Sequence, residues 1–108
     1  MSAGMFAGQG PAVMAVVRLL EAFGELPPLD VHLSTIDPGQ LELTARRGDL
    51  AGFERWRAAL GLDPAGVELL TTPPWSWLAV TGSWGGVEVR LTVHGVALPE
   101  KAGAEVAV

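Results

Sequence analysis

Cysteine, tyrosine and asparagine are all absent from this chain of 108 residues. Without cysteine, the chain has no disulfide framework, no thiolate zinc site and no cysteine nucleophile. Lysine and isoleucine each occur once, at Lys101 and Ile36. This bias, together with the abundance of alanine, glycine, arginine, proline and valine, is typical of a protein encoded by a GC-rich bacterial genome.

Basic residues are also scarce. Seven Lys and Arg stand against twelve Asp and Glu, which gives a net charge of −5, and no run of basic residues occurs. Because an acidic chain repels phosphate, we expect no nucleic-acid partner and no binding to an anionic membrane surface. Arg18 and Glu21 interrupt the apolar residues near the N-terminus. We therefore expect no membrane-spanning helix, no secretory signal and a cytoplasmic location.

Charged residues of both signs make up only 18% of the chain, whereas hydrophobic residues make up 49%. A small domain of this composition exposes apolar surface, and such surface marks interfaces. We therefore expect a homodimer or a protein partner. The length fits one domain. We divide the chain into a flexible N-terminal segment at 1–10, a single α+β domain at 11–98 and a flexible C-terminal tail at 99–108.

The strongest local pattern is a β-hairpin around Gly85-Gly86. Two glycines between two runs of strand-forming residues favour a two-residue turn. When Trp84 is placed opposite Val87, every second pair is apolar or contains glycine, and the alternate pairs are mostly polar. A shift by one residue would mix the two faces. The pattern therefore predicts a single register, in which Trp77 lies opposite His94.

The other segments complete the order of elements. They are a helix over 11–23, strands over 29–36 and 40–46, a helix over 48–62 and a strand over 67–72. Matching the apolar faces of the first two strands places Leu33 opposite Leu43, which requires a loop of about three or five residues and a bulge. The fold class is therefore α+β. We expect an antiparallel sheet of about five strands with two helices on one face, in the order α-β-β-α-β-β-β.

Apolar residues at helical spacing predict the buried side of each helix. In the first helix they are Val13, Val16, Val17, Leu20 and Phe23, and in the second Leu50, Phe53, Trp56 and Leu60. The first helix is apolar over more than half of its circumference. A sheet covers only one side of it, so we expect a second copy of the chain to cover another. Trp56 and Trp84 fall on inward faces, which places them in the core.

Two tryptophans on the polar sheet face form the sharpest candidate site. Trp77 lies opposite His94, Trp75 lies one step further along the same face, and Arg90 lies on the neighbouring strand. Exposed tryptophans serve as hot spots of interfaces or as platforms that stack on a ligand ring. Alternatively, the N-terminal segment or the tail covers them, or the strand turns them back into the core. Together with Val17 on the first helix, these residues are the interface or ligand candidates.

Support for catalysis or metal binding is weak. His32 and His94 share the polar face with two glutamates, but no HxH or HExxH spacing brings metal ligands together. Neither a GxSxG turn nor a Ser-His-Asp arrangement occurs. We therefore expect an ordinary polar sheet face with no catalytic residues, no metal and no cofactor.

Three segments carry a resemblance to a known group of proteins. They are LPPL at 26–29, FERWRAALGL at 53–62 and GSWGGV at 82–87. Through them the chain resembles a family of small proteins of uncharacterised function from high-GC actinobacteria and their phages, over residues 26–94. The resemblance implies no activity, cofactor or site residues.

Three functions remain open. The first is a non-catalytic cytosolic protein-interaction module, homodimeric through the first helix or the tryptophan-bearing face. The alternative is a small-molecule-binding domain that uses the Trp/His-bearing sheet face or the cleft between helix and sheet. The third is a metal-dependent enzyme based on His32 and His94.

Overall fold

Two helices and five strands follow one another in residues 5–96, the part of the chain that the computed structural model describes. They are α1 (Gly10–Phe23), β1 (Leu29–Leu33), β2 (Gln40–Ala45), α2 (Leu50–Leu60), β3 (Glu68–Thr72), β4 (Trp75–Trp84) and β5 (Val87–His94). A short 3-10 helix at Phe6–Gln9 precedes α1, and another at Pro64–Gly66 lies between α2 and β3. The α+β class is confirmed, and the α-helices and strands follow the expected order α-β-β-α-β-β-β, with these two 3-10 helices in addition. Of the segments expected to be flexible, 1–4 and the tail lie outside the described residues.

The five strands form one mixed sheet in the order β1-β2-β5-β4-β3. The expectation of a purely antiparallel sheet is wrong at one contact, because β2 and β5 run parallel. Hairpins fix antiparallel pairing only within β1–β2 and within β3–β4–β5. The two units are joined by the α2 segment, which leads away from β2 and lets β5 return beside it in the same direction.

The register predicted for β4 and β5 is confirmed. Trp84 pairs with Val87 at the turn, and Trp77 pairs with His94 near the other end. Gly85 and Gly86 have φ angles of 64° and 82°, which suit a two-residue turn of the mirror-image type. The register and the turn of this hairpin therefore agree with the local sequence pattern.

The register predicted for β1 and β2 is wrong by two residues. Leu33 lies opposite Leu41 instead of Leu43, and the connection occupies residues 34–39 in place of the shorter bulged loop. The Ser34 hydroxyl accepts hydrogen bonds from the backbone N–H groups of Ile36 and Asp37, at 3.0 and 2.9 Å. This turn ends β1 early. Because the shift is even, the apolar residues still share one face, as expected.

Both helices pack on the same face of the sheet, where the core lies. Asp49 caps the N-terminus of α2, because its carboxylate accepts a hydrogen bond from the backbone N–H of Gly52 at 2.9 Å. Phe53, Trp56 and Leu60 are buried, whereas Leu50, expected beside them, is exposed. The core is closed by apolar residues of α1, α2, β2, β4 and β5.

The buried side of α1 differs from the expected one. Ala12, Ala15 and Leu19 are buried, and most of the expected valine stripe is not. Because the helix is apolar over more than half of its circumference, hydrophobicity does not select the valine side. Ala15 lies against the β4–β5 turn, where its methyl is 3.7 Å from the point that a Cβ on Gly85 would occupy, an ordinary contact distance. The helix is turned so that its alanines and Leu19 face the core.

Candidate functional site

Two surfaces of the molecule hold the predicted site residues. The first is the α1 face, defined by Val13, Met14, Val17 and Leu20. All four side chains are exposed, Val17 to 40% and Leu20 to 72%. Val17 thus lies on an uncovered apolar surface within the described part of the chain.

An apolar groove runs beside the α1 face. α1 packs over β5, so the edge strand β1 extends beyond the helix, and Val31 on its inner side is exposed. The groove is lined on the helix side by Val16, Leu20 and Phe23, and on the other side by Leu26, Pro27, Leu29, Val31 and Trp56. The α1 face and the groove therefore lie next to each other on one side of the protein.

Trp56 holds one wall of this groove in place. Its indole N–H donates a hydrogen bond of 2.8 Å to the carbonyl of Pro27. Phe23 packs edge-on against Trp56, and its ring also contacts that of Trp84, with a centroid distance of 5.9 Å in both pairs. The inward positions predicted for Trp56 and Trp84 are confirmed: Trp56 is buried and Trp84 is partly buried against the core.

The second surface is the tryptophan recess, at the end of the sheet where β5 stops and β4 starts. It is lined by Arg47, Thr72, Trp75, Ser76, Trp77, His94 and Gly95. Backbone hydrogen bonds tie its three chain segments together. The Gly48 N–H donates to the His94 carbonyl at 2.8 Å, and the Gly95 N–H donates to the Ser76 carbonyl at 3.2 Å. The three backbone segments that carry the recess residues are thus hydrogen-bonded to one another.

Aromatic and cationic groups stack within the recess. Trp75 is 56% exposed and Trp77 is partly exposed. The Trp77 and His94 rings lie 5.7 Å apart at an angle of 30°. The Arg47 guanidinium lies 5.3 Å from the centroid of the Trp75 ring, a distance at which the ring face attracts a cation. The sequence left open whether the N-terminal segment or the tail covers the two tryptophans, or whether the strand turns them into the core. Within residues 5–96, no residue covers Trp75 completely.

Arg47 is the residue that the sequence reasoning missed. Its Cγ lies 2.7 Å from the position that a Cβ on Gly95 would take, and Gly95 has a φ angle of +74°. Only glycine fits both conditions easily. A glycine directly after His94, at the end of a strand, was the available signal of a left-handed backbone or a close contact at this point.

Arg90 and His32 lie away from the recess. Arg90 is opposite Thr81 on β4 and Glu42 on β2, and His32 is opposite Glu42 on β1. These residues form a polar row across the middle of the sheet. Arg90, predicted as an interface or ligand candidate near the tryptophans, is therefore separated from His94 by four positions along β5.

The two histidines are not brought together. β1 and β5 are separated by β2, which corresponds to about 10 Å, and His94 lies about 13 Å further along β5 than the row of His32. This distance prevents one ion from binding both. Within residues 5–96, no group of three or more His, Asp or Glu side chains could hold a metal ion.

Electrostatic perturbation is found on α2, away from both surfaces. The Arg57 guanidinium donates two hydrogen bonds to the Glu54 carboxylate, which lowers the pKa of Glu54 below its ordinary value. The same contact raises the pKa of Arg57. Arg57 also donates a hydrogen bond of 2.7 Å to the carbonyl of Leu62. The ion pair thus supports the end of α2.

Comparison with known proteins adds no function. No protein-family model matches the chain, and no curated protein and no solved structure matches it. The helices in residues 5–96 are too short or too polar to cross a membrane. Functional conclusions therefore rest on the two surfaces alone.

Proposed function

We propose that this chain is a non-catalytic protein-interaction module that forms a homodimer through the α1 face and the groove beside it. The observation that carries the proposal is the exposure of Val13, Val17 and Leu20, three apolar side chains in a row on one helix. Apolar patches of this kind are characteristic of interfaces. We also propose a cytoplasmic location, which the absence of cysteine from so small a domain supports.

The spacing of the α1 face favours a second copy as the occupant. Val13, Val17 and Leu20 follow one another at intervals of four and three residues, which places them on one side of the helix. A symmetric dimer needs a surface that is complementary to itself. When two α1 helices run antiparallel about a two-fold axis near Val17, Val13 meets the partner's Leu20. The α1 face of each copy can then enter the groove of the other copy.

Charge is compatible with this arrangement. Arg18 and Glu21 are the charged residues of α1. Arg18 lies about 100° around the helix from Val17, whereas Glu21 follows Val17 by four residues and lies only about 40° from it, at the border of the α1 face. In the antiparallel arrangement the two Glu21 residues lie on opposite sides of the axis, about 12 Å apart along the helices, so like charges do not meet at the axis. The net charge of −5 on each copy acts over longer distances, where salt screens it.

Solution mass tests the proposal directly. The chain is measured by light-scattering chromatography over a concentration range of about a hundredfold, since dimers dissociate on dilution. The expected mass at high concentration is twice the 11.3 kDa of one chain. Val17→Glu buries a charge in the dimer but leaves it in water in the monomer, so this variant should have the monomer mass throughout.

Ala51→Glu is the matched control. It adds the same charge to an exposed position in the first turn of α2, where a carboxylate is favourable. This variant should remain a dimer. A monomeric wild type at every concentration, or a Val17→Glu variant as dimeric as the wild type, would show that the α1 face is not the interface.

A further inference from the structure

We propose that the tryptophan recess is a binding site for a small aromatic carboxylate, with Arg47 holding the carboxylate and the Trp75 and Trp77 rings holding the aromatic part. This site is separate from the proposed dimer interface. Ala15 of α1 approaches Gly85 at the β4–β5 turn, whereas the recess lies at the other end of the same hairpin. The two proposals can therefore fail independently.

Arg47 is a positioned cation without a protein carboxylate. Among residues 5–96, the ion pair is that of Arg57 with Glu54, so Arg47 forms none in this part of the chain. Its guanidinium carbon lies 5.3 Å from the centroid of the Trp75 ring, and among the described residues the guanidinium donates no hydrogen bond to a protein acceptor. Its N–H groups form a fork whose geometry matches a carboxylate.

The position of Arg47 is restricted before any ligand binds. The stem of the side chain crosses Gly95 at a distance that leaves no room for a Cβ, and the Trp75 ring lies beneath its end. A preorganised group loses less conformational entropy on binding than a free surface arginine does. Arg46, which is exposed as Arg47 is, has no such contacts with Gly95 and Trp75, and this difference assigns anion binding to Arg47.

The aromatic part of the ligand is inferred from the remaining walls. Trp75 and Trp77 are two positions apart on β4, so their side chains leave the same face of the strand. His94 lies against Trp77 and extends this aromatic surface. Indole faces attract rings in offset or edge-on geometry. A planar ring with a carboxylate on a short stem satisfies both the rings and Arg47.

Matched probes test the site in the full-length chain. Phenylacetate is titrated into the protein and followed by tryptophan fluorescence and by calorimetry, with phenylacetamide as the uncharged analogue and acetate as the analogue without a ring. A ligand of this size should bind with a Kd on the order of 1 mM. Phenylacetamide and acetate should each bind at least about tenfold more weakly than phenylacetate, because each lacks one of the two contacts.

Two variants locate the binding. Arg47→Gln keeps much of the stem but removes the charge, and should weaken phenylacetate binding about tenfold or more. Arg46→Gln is the matched control and should leave the Kd unchanged. Thermal melts of both variants establish that they are folded. Because neither residue belongs to the α1 face, the variants should also keep the solution mass of the wild type.

Three results would overturn the proposal. One is the absence of any phenylacetate binding at about 20 mM, well above the expected Kd. Another is equal binding of phenylacetamide, which would remove the carboxylate from the recognition. The third is an equal loss of affinity in Arg46→Gln and Arg47→Gln, which would mean that general surface charge attracts the anion.

Discussion

The hydrogen bond between Trp56 and Pro27 can be tested by removing a single N–H group. β-(3-Benzothienyl)alanine in place of Trp56 keeps the bicyclic shape but has sulfur where the indole has its N–H. The carbonyl of Pro27 then loses the donor that lies 2.8 Å away. Trp56→Phe removes the same donor and also part of the ring.

The expected cost follows from the surroundings of Trp56. The residue is 6% exposed, so water replaces the lost donor poorly. Loss of the bond and the unpaired carbonyl together cost about 1.5 kcal/mol of unfolding free energy. In Trp56→Phe, roughly 40 Å² less apolar surface is buried, which adds about 1 kcal/mol. We therefore expect losses of about 1.5 kcal/mol for the benzothienyl variant and about 2.5 kcal/mol for Trp56→Phe.

Urea unfolding at one fixed protein concentration measures these losses. With a slope of about 1.5 kcal/mol per molar urea, the midpoint should fall by about 1 M in the benzothienyl variant and by about 1.7 M in Trp56→Phe. Trp84→Phe is the control, because its ring contacts the same Phe23 but is partly exposed. Its loss should stay below about 1 kcal/mol.

An unchanged midpoint for the benzothienyl variant would refute the reasoning. The segment that contains Pro27 would then be held by packing alone. A second readout follows from position: Pro27 lines the groove beside α1. If the homodimer uses this groove, the benzothienyl variant should also dissociate at a higher protein concentration than the wild type does.

The remaining predictions concern helix ends. Gly61→Ala should lower the unfolding free energy by about 1–2 kcal/mol, because Gly61 has a φ angle of +71° with open space around it. Gly10→Ala, equally open but with a helical φ of −53°, should raise it by about 0.5 kcal/mol, and thermal melts that give both the same sign would contradict this. The pKa of Glu54 is lowered by its hydrogen bonds from Arg57, so the stability that this contact adds is present above the unfolded pKa of about 4.3 and is lost as the pH falls through the lower folded pKa. The urea midpoint near pH 6 should therefore be lower for Glu54→Gln than for the wild type, and the two midpoints should converge at a pH low enough to protonate Glu54 in the folded state. A difference that stays constant with pH would assign the effect to something other than the charge.

Local patterns succeeded where neighbouring residues alone decide the structure. The β4–β5 register depends on Gly85-Gly86 and on alternation along the two strands, and both can be read from the sequence. The β1–β2 register depends on a side chain instead. Ser34 forms a turn with the two residues after Thr35, and this ends β1 at Leu33.

The parallel contact of β2 with β5 could not be derived in the same way. Alternation shows which residues of a strand share a face, but it does not show which strand lies beside it. Here the choice depends on the path through α2 between two hairpin units. The side chains fit once it is made: Thr44 and Thr92 lie opposite each other and share a hydrogen bond of 3.1 Å between their hydroxyls.

The rotation of α1 shows why apolar spacing alone fails for a helix that is apolar over most of its surface. Both the valine side and the alanine side are compatible with burial, so hydrophobicity does not choose between them. In the structure the alanine side is the one that packs: Ala12 and Ala15 are buried together with Leu19, and Val17 is exposed. If the packing of alanines against the sheet decides the rotation, Ala15→Leu should destabilise the fold far more than Val17→Leu, since overpacking a filled contact costs about 1–3 kcal/mol and enlarging an exposed side chain costs little.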